Sequence, residues 1–160
     1  MEITLLVTKI NVYDEVSKTS SYTGAKMDEV GSAYMRIFTI DEDRVMLERF
    51  WNEACNRVVD LVKPFIASIS TLVESHTIDL GNNFEAKLNM PSSFDEALTA
   101  SINTSLFSFF TNYIMGKWYE ITNKEEANAY LLTATAILED VKSKIYFRKK
   151  PTRVKPTTTA

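Results

Sequence analysis

Residues 93–118 read SFDEALTASINTSLFSFFTNYIMGKW, and this stretch decides the fold class. Apolar side chains recur at Ala97 or Leu98, then Ile102, Leu106, Phe109, Phe110, Tyr113, Met115 and Trp118. Steps of three and four are the spacing of a helix that buries one face. The face is broad, which places this helix at the centre of a bundle. Ser93 and Glu96 have the spacing of a capping box, in which each side chain serves the other's backbone amide, so the helix is expected to open there.

The pattern continues on both sides. Thr122 with Glu125, or Asn123 with Glu126, is a further capping signal, followed by Ala127, Tyr130, Leu131, Ala134, Ile137, Leu138, Val141 and Ile145. This predicts a last helix, antiparallel to the first, that fades at Pro151. Upstream, Thr39 and Glu42 cap a long helix whose stripe is Leu47, Phe50, Trp51, Ala54, Val58, Leu61, Val62, Phe65, Ile69 and Leu72. Asp41, Glu42 and Asp43 sit at its positive dipole end, where orphan amides favour negative charge without a metal. Pro64 lies inside the run and kinks the helix or divides it, because it removes a donor and clashes one turn back. Between the long helices the period changes. Residues 77–80 and 84–88 flank Gly81, Asn82 and Asn83, which predicts a β-hairpin at about residues 76–90 with Ile78, Leu80, Phe84, Ala86 and Leu88 on its apolar face.

Residues 3–12, ITLLVTKINV, alternate at Ile3, Leu5 and Val7 and slip around Lys9, which suggests a strand or extended arm with a bulge or break. Residues 13–32 turn polar around Thr19, Ser20, Ser21 and Gly24 and read as a loop, of a length that usually signals function or reach toward a neighbour. The expected fold is therefore mainly α: three long helices in a bundle, a β-hairpin insertion, and extended arms at both ends. The organisation is an arm over residues 1–38, the bundle over 39–147, and a basic Thr/Pro-rich arm over 148–160.

Charge is unevenly distributed. The last nineteen residues carry Lys142, Lys144, Arg148, Lys149, Lys150, Arg153 and Lys155 with no acidic residue. With 18 Lys and Arg against 21 Asp and Glu overall, the other 141 residues hold 11 against 21, so a body of −10 meets a segment of +7. In KKPTRVKPTTTA the one mid-sized apolar residue is Val154, too little burial to offset the entropy of ordering the segment without a partner. The segment has two functional readings, contact with nucleic-acid phosphates or docking on an acidic protein surface, and one inert reading, a solvated tail. The acidic body favours docking on a further copy of the same chain. The residues expected to contact partners are Arg148, Lys149, Lys150, Arg153 and Lys155 in the C-terminal arm and Ile3, Leu5 and Val7 in the N-terminal one.

Catalytic chemistry has little to work with. His76 is the single histidine, with Glu74 and Asp79 nearby, in a spacing that matches no helix-face metal pair and fits a surface residue better. The single Cys55 leaves no intrachain disulfide, fits a reducing compartment and falls on a helix as an inert buried thiol. Gly24, in SYTGAK, lacks the second glycine and the Gly-Lys-Ser/Thr ending of a phosphate loop. No catalytic, cofactor or metal set is expected, and neither a signal peptide nor a membrane span, so the chain reads as soluble and intracellular.

Residues 40–60, IDEDRVMLERFWNEACNRVVD, resemble the first helix of head–tail connector (adaptor, ring) proteins of tailed bacteriophages, in which an acidic start leads into a helix of the type leu-x-x-ala-x-x-x-val. Residues 97–120, ending FFTNYIMGKWYE, are similar to that family's second long helix, and residues 13–26, YDEVSKTSSYTGAK, look like proteins of Bacteroidales phages, including the crAss-like group. As architecture the resemblance covers residues 40–147. It implies a structural virion protein without catalytic residues, assembled in the host bacterial cytoplasm. It also implies a ring, commonly of twelve copies, that contacts portal and tail proteins and encloses a channel for DNA, with no membrane partner. The alternative is a small nucleic-acid-binding or protein-interaction module acting through the basic C-terminal tail.

Overall fold

The computed structural model describes residues 1–26, 43–69 and 83–151. Their order is β1 (Glu2–Val7), α1 (Lys9–Lys26), α2 (Arg44–Val62), a 3-10 turn (Lys63–Phe65), β2 (Ile66–Ile69), β3 (Phe84–Asn89), α3 (Leu98–Thr122) and α4 (Lys124–Tyr146). The chain is mainly helical, with a small antiparallel sheet of order β1-β3-β2.

Helix α3 is the hub, as its broad apolar face predicts. Ile102, Leu106, Phe109, Phe110, Tyr113, Ile114, Met115, Gly116, Trp118 and Tyr119 are all buried. One residue, Asn123, joins it to α4, and the two helices run antiparallel as a hairpin. Gly116 fixes their approach: a Cβ there would lie 2.6 Å from Leu131 Cγ and 3.1 Å from the Leu131 backbone nitrogen. Helix α4 buries only Ala127, Ala134, Val141 and Ile145, a narrow seam of mostly small side chains, so most of its circumference is at or near the surface.

The sheet closes the other side of the core. Alternation in β1 puts Ile3, Leu5 and Val7 on one face, paired with Leu88, Ala86 and Phe84 of β3. All six are buried. Phe84 meets Phe110 with ring centroids 5.7 Å apart, and Phe110 packs on Trp51 of α2 at 4.6 Å. The apolar face expected for Phe84, Ala86 and Leu88 is therefore present.

Several expectations change. The first strand ends at Val7, and Lys9 starts α1, so residues 13–26 are helical and not a loop. The helical period is hidden because the buried seam Val12, Tyr13, Val16 continues through Ser20 and Thr23. Their hydroxyls donate to the carbonyls of Ser17 and Thr19, at 3.0 and 3.2 Å, which lets polar residues fill core positions. Ile3, Leu5 and Val7 belong to this chain's own core and do not form a free arm, so residues 1–26 are part of the body. Gly24 lies within α1, which removes the phosphate-loop reading.

Pro64 divides the long helix. Helix α2 stops at Val62, the 3-10 turn carries Pro64, and Ile66 enters β2 with φ −63° and ψ 123°. Phe65 and Ile69 thus lie beyond the helix. Among the described residues, β3 pairs with β1 on one edge and with Ile66–Ile69 of β2 on the other. Residues 77–80, expected as the hairpin strand, lie outside the described residues, as do Gly81, Asn82, and the cap at Thr39 and Glu42. Helix α3 begins at Leu98 and not at Ser93, after turns in which Phe94 donates to Pro91 and Leu98 to Asp95; the side chain that caps an amide there is Asp95, accepting from Ala97 N at 3.2 Å.

Candidate interaction surface

Three side-chain constellations stand out. The first is internal. Lys9, 3 % exposed, places Nζ 2.9 Å from Glu48 Oε2, and the Tyr13 hydroxyl donates to Glu48 Oε1 at 2.9 Å. The Lys9 ammonium also lies 5.4 Å from the centre of the Trp51 ring. Its backbone amide donates to Asn83 Oδ1, tying the β1–α1 corner to the start of β3. Beside this pair, burial pushes the Cys55 thiol up to about 12, Lys9 opposes and Glu48 adds to the shift. Such a thiol is protonated and inert at neutral pH. The arrangement is structural: the Lys9 ammonium, both Glu48 oxygens and the Tyr13 hydroxyl are partnered, and through them α1 and α2 are joined.

The second is a cleft of about 360 Å³ between α2 and the α3–α4 hairpin. Phe109, Leu131, Ala134 and Leu138 supply its apolar lining, and Arg57, Lys117, Glu120 and Glu139 its charged one. Tyr113 organises the wall. Its hydroxyl accepts from Arg57 Nε at 3.2 Å and donates to Glu53 Oε2 at 3.2 Å, while the guanidinium carbon stands 5.1 Å from the ring centre. Lys117 reaches Glu120 at 3.1 Å and Glu53 at 3.8 Å, and the hydrogen bond to Glu120 raises its pKa. Glu120 and Glu139 remain largely exposed on the rim.

The third is the root of the basic segment. Beyond α4, Phe147 turns extended at φ −62° and ψ 140°. Arg148 donates to the carbonyls of Ile145 and Phe147, each at 2.8 Å, and lies over the Phe65 ring at 5.7 Å. Lys149 N donates to Ser93 O at 2.8 Å, and Lys149 Nζ pairs with Asp95 Oδ1 at 2.8 Å. That hydrogen bond holds the Asp95 carboxyl below the usual carboxylate range. Of the five basic residues expected to contact partners, Arg148 and Lys149 are therefore engaged at home, pinning the segment to the body. Lys150 is exposed. Arg153 and Lys155 lie outside the described residues, as do His76, Glu74 and Asp79.

Among the described residues no three His, Cys, Asp or Glu side chains come together to hold a metal, and no helix is long and apolar enough to cross a membrane. Lys9, Glu48, Arg57 and Tyr113 escape a reading of the sequence because their partners are 35 to 60 residues away. Locally, Glu53 with Arg57 and Lys117 with Glu120 look like ordinary solvated helix pairs. No protein-family model, no curated protein and no solved structure matches the chain.

Proposed function

We propose that this chain is a structural virion protein of the head–tail connector type, a subunit that self-associates into a closed ring between portal and tail. The observation that carries this reading is the split between an acidic body and a basic C-terminal segment whose root is pinned to that body. Lys149 fastens the segment to Ser93 and Asp95, and Lys150, Arg153 and Lys155 follow beyond that anchor. A root held in this way lowers the entropy lost when the segment docks on a neighbour. Closed cyclic symmetry multiplies one such contact around a ring. In this reading the chemistry is assembly, and the DNA of the particle passes through the ring without being read in sequence.

The test is native mass spectrometry of the full-length chain across a range of concentration. A closed oligomer is the expected species, and one that loosens when the residues after Pro151 are removed fits best. A monomer at every concentration, together with DNA binding that weakens steeply with salt, would replace this reading by a nucleic-acid-binding module.

A further inference from the structure

We infer that α4 is exchanged between two copies, each laying it on the other's α3, with Asn123 as the hinge. The inference goes beyond the ring reading, since it needs only two copies and assigns the surface that joins them.

The connection between the two helices carries it. Helices of 25 and 23 residues are joined by Asn123 alone, at φ −150° and ψ 82°. Helix–helix connections usually take about two to eight residues. The helical ladder already reaches this residue from both sides: Asn123 N donates to Tyr119 O at 2.8 Å, and Ala127 N donates to Asn123 O at 3.3 Å. Moving Asn123 to helical angles joins the amides of Lys124 and Glu125 to the carbonyls of Glu120 and Ile121, groups that helix ends leave without a ladder partner. No Gly or Pro lies in residues 117–130, KWYEITNKEEANAY, to break the continued helix. Glu120 then precedes Lys124 by one turn, the more favourable order for such a pair. Against this, Glu125 and Glu126 leave a helix N-terminus that favours their charge. These terms oppose each other, so concentration decides between the hairpin and the pair.

What covers α3 in the pair is fixed by what covers it in one copy. Gly116 meets Leu131, the Tyr119 and Tyr130 rings stand 5.4 Å apart, Lys144 reaches Ser105 at 2.9 Å and Lys149 reaches Asp95 at 2.8 Å. Each of these contacts links α4, or the residues after it, to α3 or the loop before it. Exchange remakes every one of them between copies, so it needs no surface that the fold does not already bury. Helix α4 buries only Ala127, Ala134, Val141 and Ile145, so detaching it uncovers little apolar surface of its own. A straight hinge also makes the exchange reciprocal. The two helices become one rod of about 73 Å. Two such rods lie antiparallel about a two-fold axis at Asn123, and each α4 occupies the place that the other copy's α4 has left.

The experiment unfolds unlabelled and 15N-labelled full-length chain together, refolds the mixture at high concentration and separates one-copy from two-copy species. A carbodiimide then converts the ion pair of Lys149 and Asp95 to an amide, which records whose α4 lies on whose body. Crosslinks joining heavy to light copies are expected in the two-copy species, and crosslinks within single copies in the one-copy species. Asn123→Ala should raise the exchanged fraction about threefold per hinge, through its higher helix propensity. Inserting Gly-Gly-Ser after Asn123 gives the closed turn slack and interrupts the straight helix. It should abolish the heavy-to-light crosslinks while those within copies persist. Oligomers whose Asp95 to Lys149 crosslinks all lie within single copies overturn the exchange and leave the ring reading standing. Heavy-to-light crosslinks that survive the insertion overturn Asn123 as the hinge, and a chain that stays single even with Asn123→Ala overturns the exchange itself.

Discussion

Lys9 and Glu48 form an ion pair at 2.9 Å in which the lysine side chain is 3 % and the glutamate 13 % exposed. Two charges held that far from water stabilise the fold little by themselves, because desolvation offsets most of their attraction. Removing one is another matter. Lys9→Met strands the Glu48 carboxylate with Tyr13 as its remaining partner and should lower the unfolding free energy by about 3–5 kcal/mol. The double replacement Lys9→Met, Glu48→Leu should recover most of it. Urea unfolding of the two singles and the double measures the coupling; additive losses would show that the pair does not act as a unit.

Gly116→Ala sets two effects against each other. Alanine favours a helix interior by about 1 kcal/mol over glycine. The added methyl, however, meets Leu131 Cγ at 2.6 Å and its backbone nitrogen at 3.1 Å, so relief requires α4 to move and not just a side-chain tip. Overpacking of this kind costs about 1–3 kcal/mol and should win. Thermal unfolding of Gly116→Ala should show a lower midpoint, and Leu131→Ala in the same chain should be less harmful than the sum of the two changes. A raised midpoint for Gly116→Ala alone would mean that the α3–α4 seam has slack.

The same seam explains how much of the fold is legible in the sequence. In α3 and α4 the core positions carry mostly Leu, Ile, Phe, Val and Ala at helical spacing, and both elements follow from periodicity. In α1 the seam ends in Ser20 and Thr23, which are polar by type and buried in fact, so the period vanishes from the text. Residues 65–69 fail for the opposite reason. Phe65 and Ile69 keep a helical step past Pro64, yet the chain leaves the helix at Val62 and IASI becomes a strand, because a run that short has no decisive period. Ile3, Leu5 and Val7 read correctly as a strand but not as a core strand, since the partner that buries them, β3, begins 77 residues after Val7, at Phe84. The cleft was beyond reach for a similar reason: Arg57 and Tyr113 meet only through the packing of α2 on α3.

Cys55 and Tyr119 make the fold sensitive to alkali. Burial pushes the thiol from 9.0 up to about 12 and the phenol from 10.0 up to about 12, with Thr23 offsetting part of the latter. In both cases the folded chain keeps a proton that the unfolded chain gives up. The stability they contribute is thus fully present below pH 9 and is lost as pH rises toward 12. The slope of unfolding free energy against pH should steepen above pH 9 and flatten partly in Cys55→Ala. At pH 8 roughly one thiol in ten thousand is ionised, so a thiol reagent should modify Cys55 only as fast as the chain opens. Rapid labelling under native conditions contradicts the burial on which the prediction stands.

Asp95 and Lys149 decide where the C-terminal segment starts. The hydrogen bond from Lys149 holds the Asp95 carboxyl below its ordinary 3.8, so the folded carboxylate keeps its charge to lower pH than the unfolded one. A depressed carboxyl pKa contributes stability above the unfolded value and loses it as pH falls through the folded one. The anchor should therefore persist at neutral pH and release in acid below 3.8. Asp95→Asn should release it at neutral pH, because the neutral amide has no charge for the ammonium and the Lys149 N–H to Ser93 carbonyl bond then stands alone. The readout is hydrogen exchange at the Lys149 amide, expected to quicken in Asp95→Asn while amides in the centre of α3 hold their protection. Unchanged exchange at Lys149 would mean that the backbone bond to Ser93, not the ion pair, is the anchor. In a ring joined through this segment, the same substitution should raise the concentration at which the oligomer falls apart, since an unpinned root gives back the entropy that the anchor had removed.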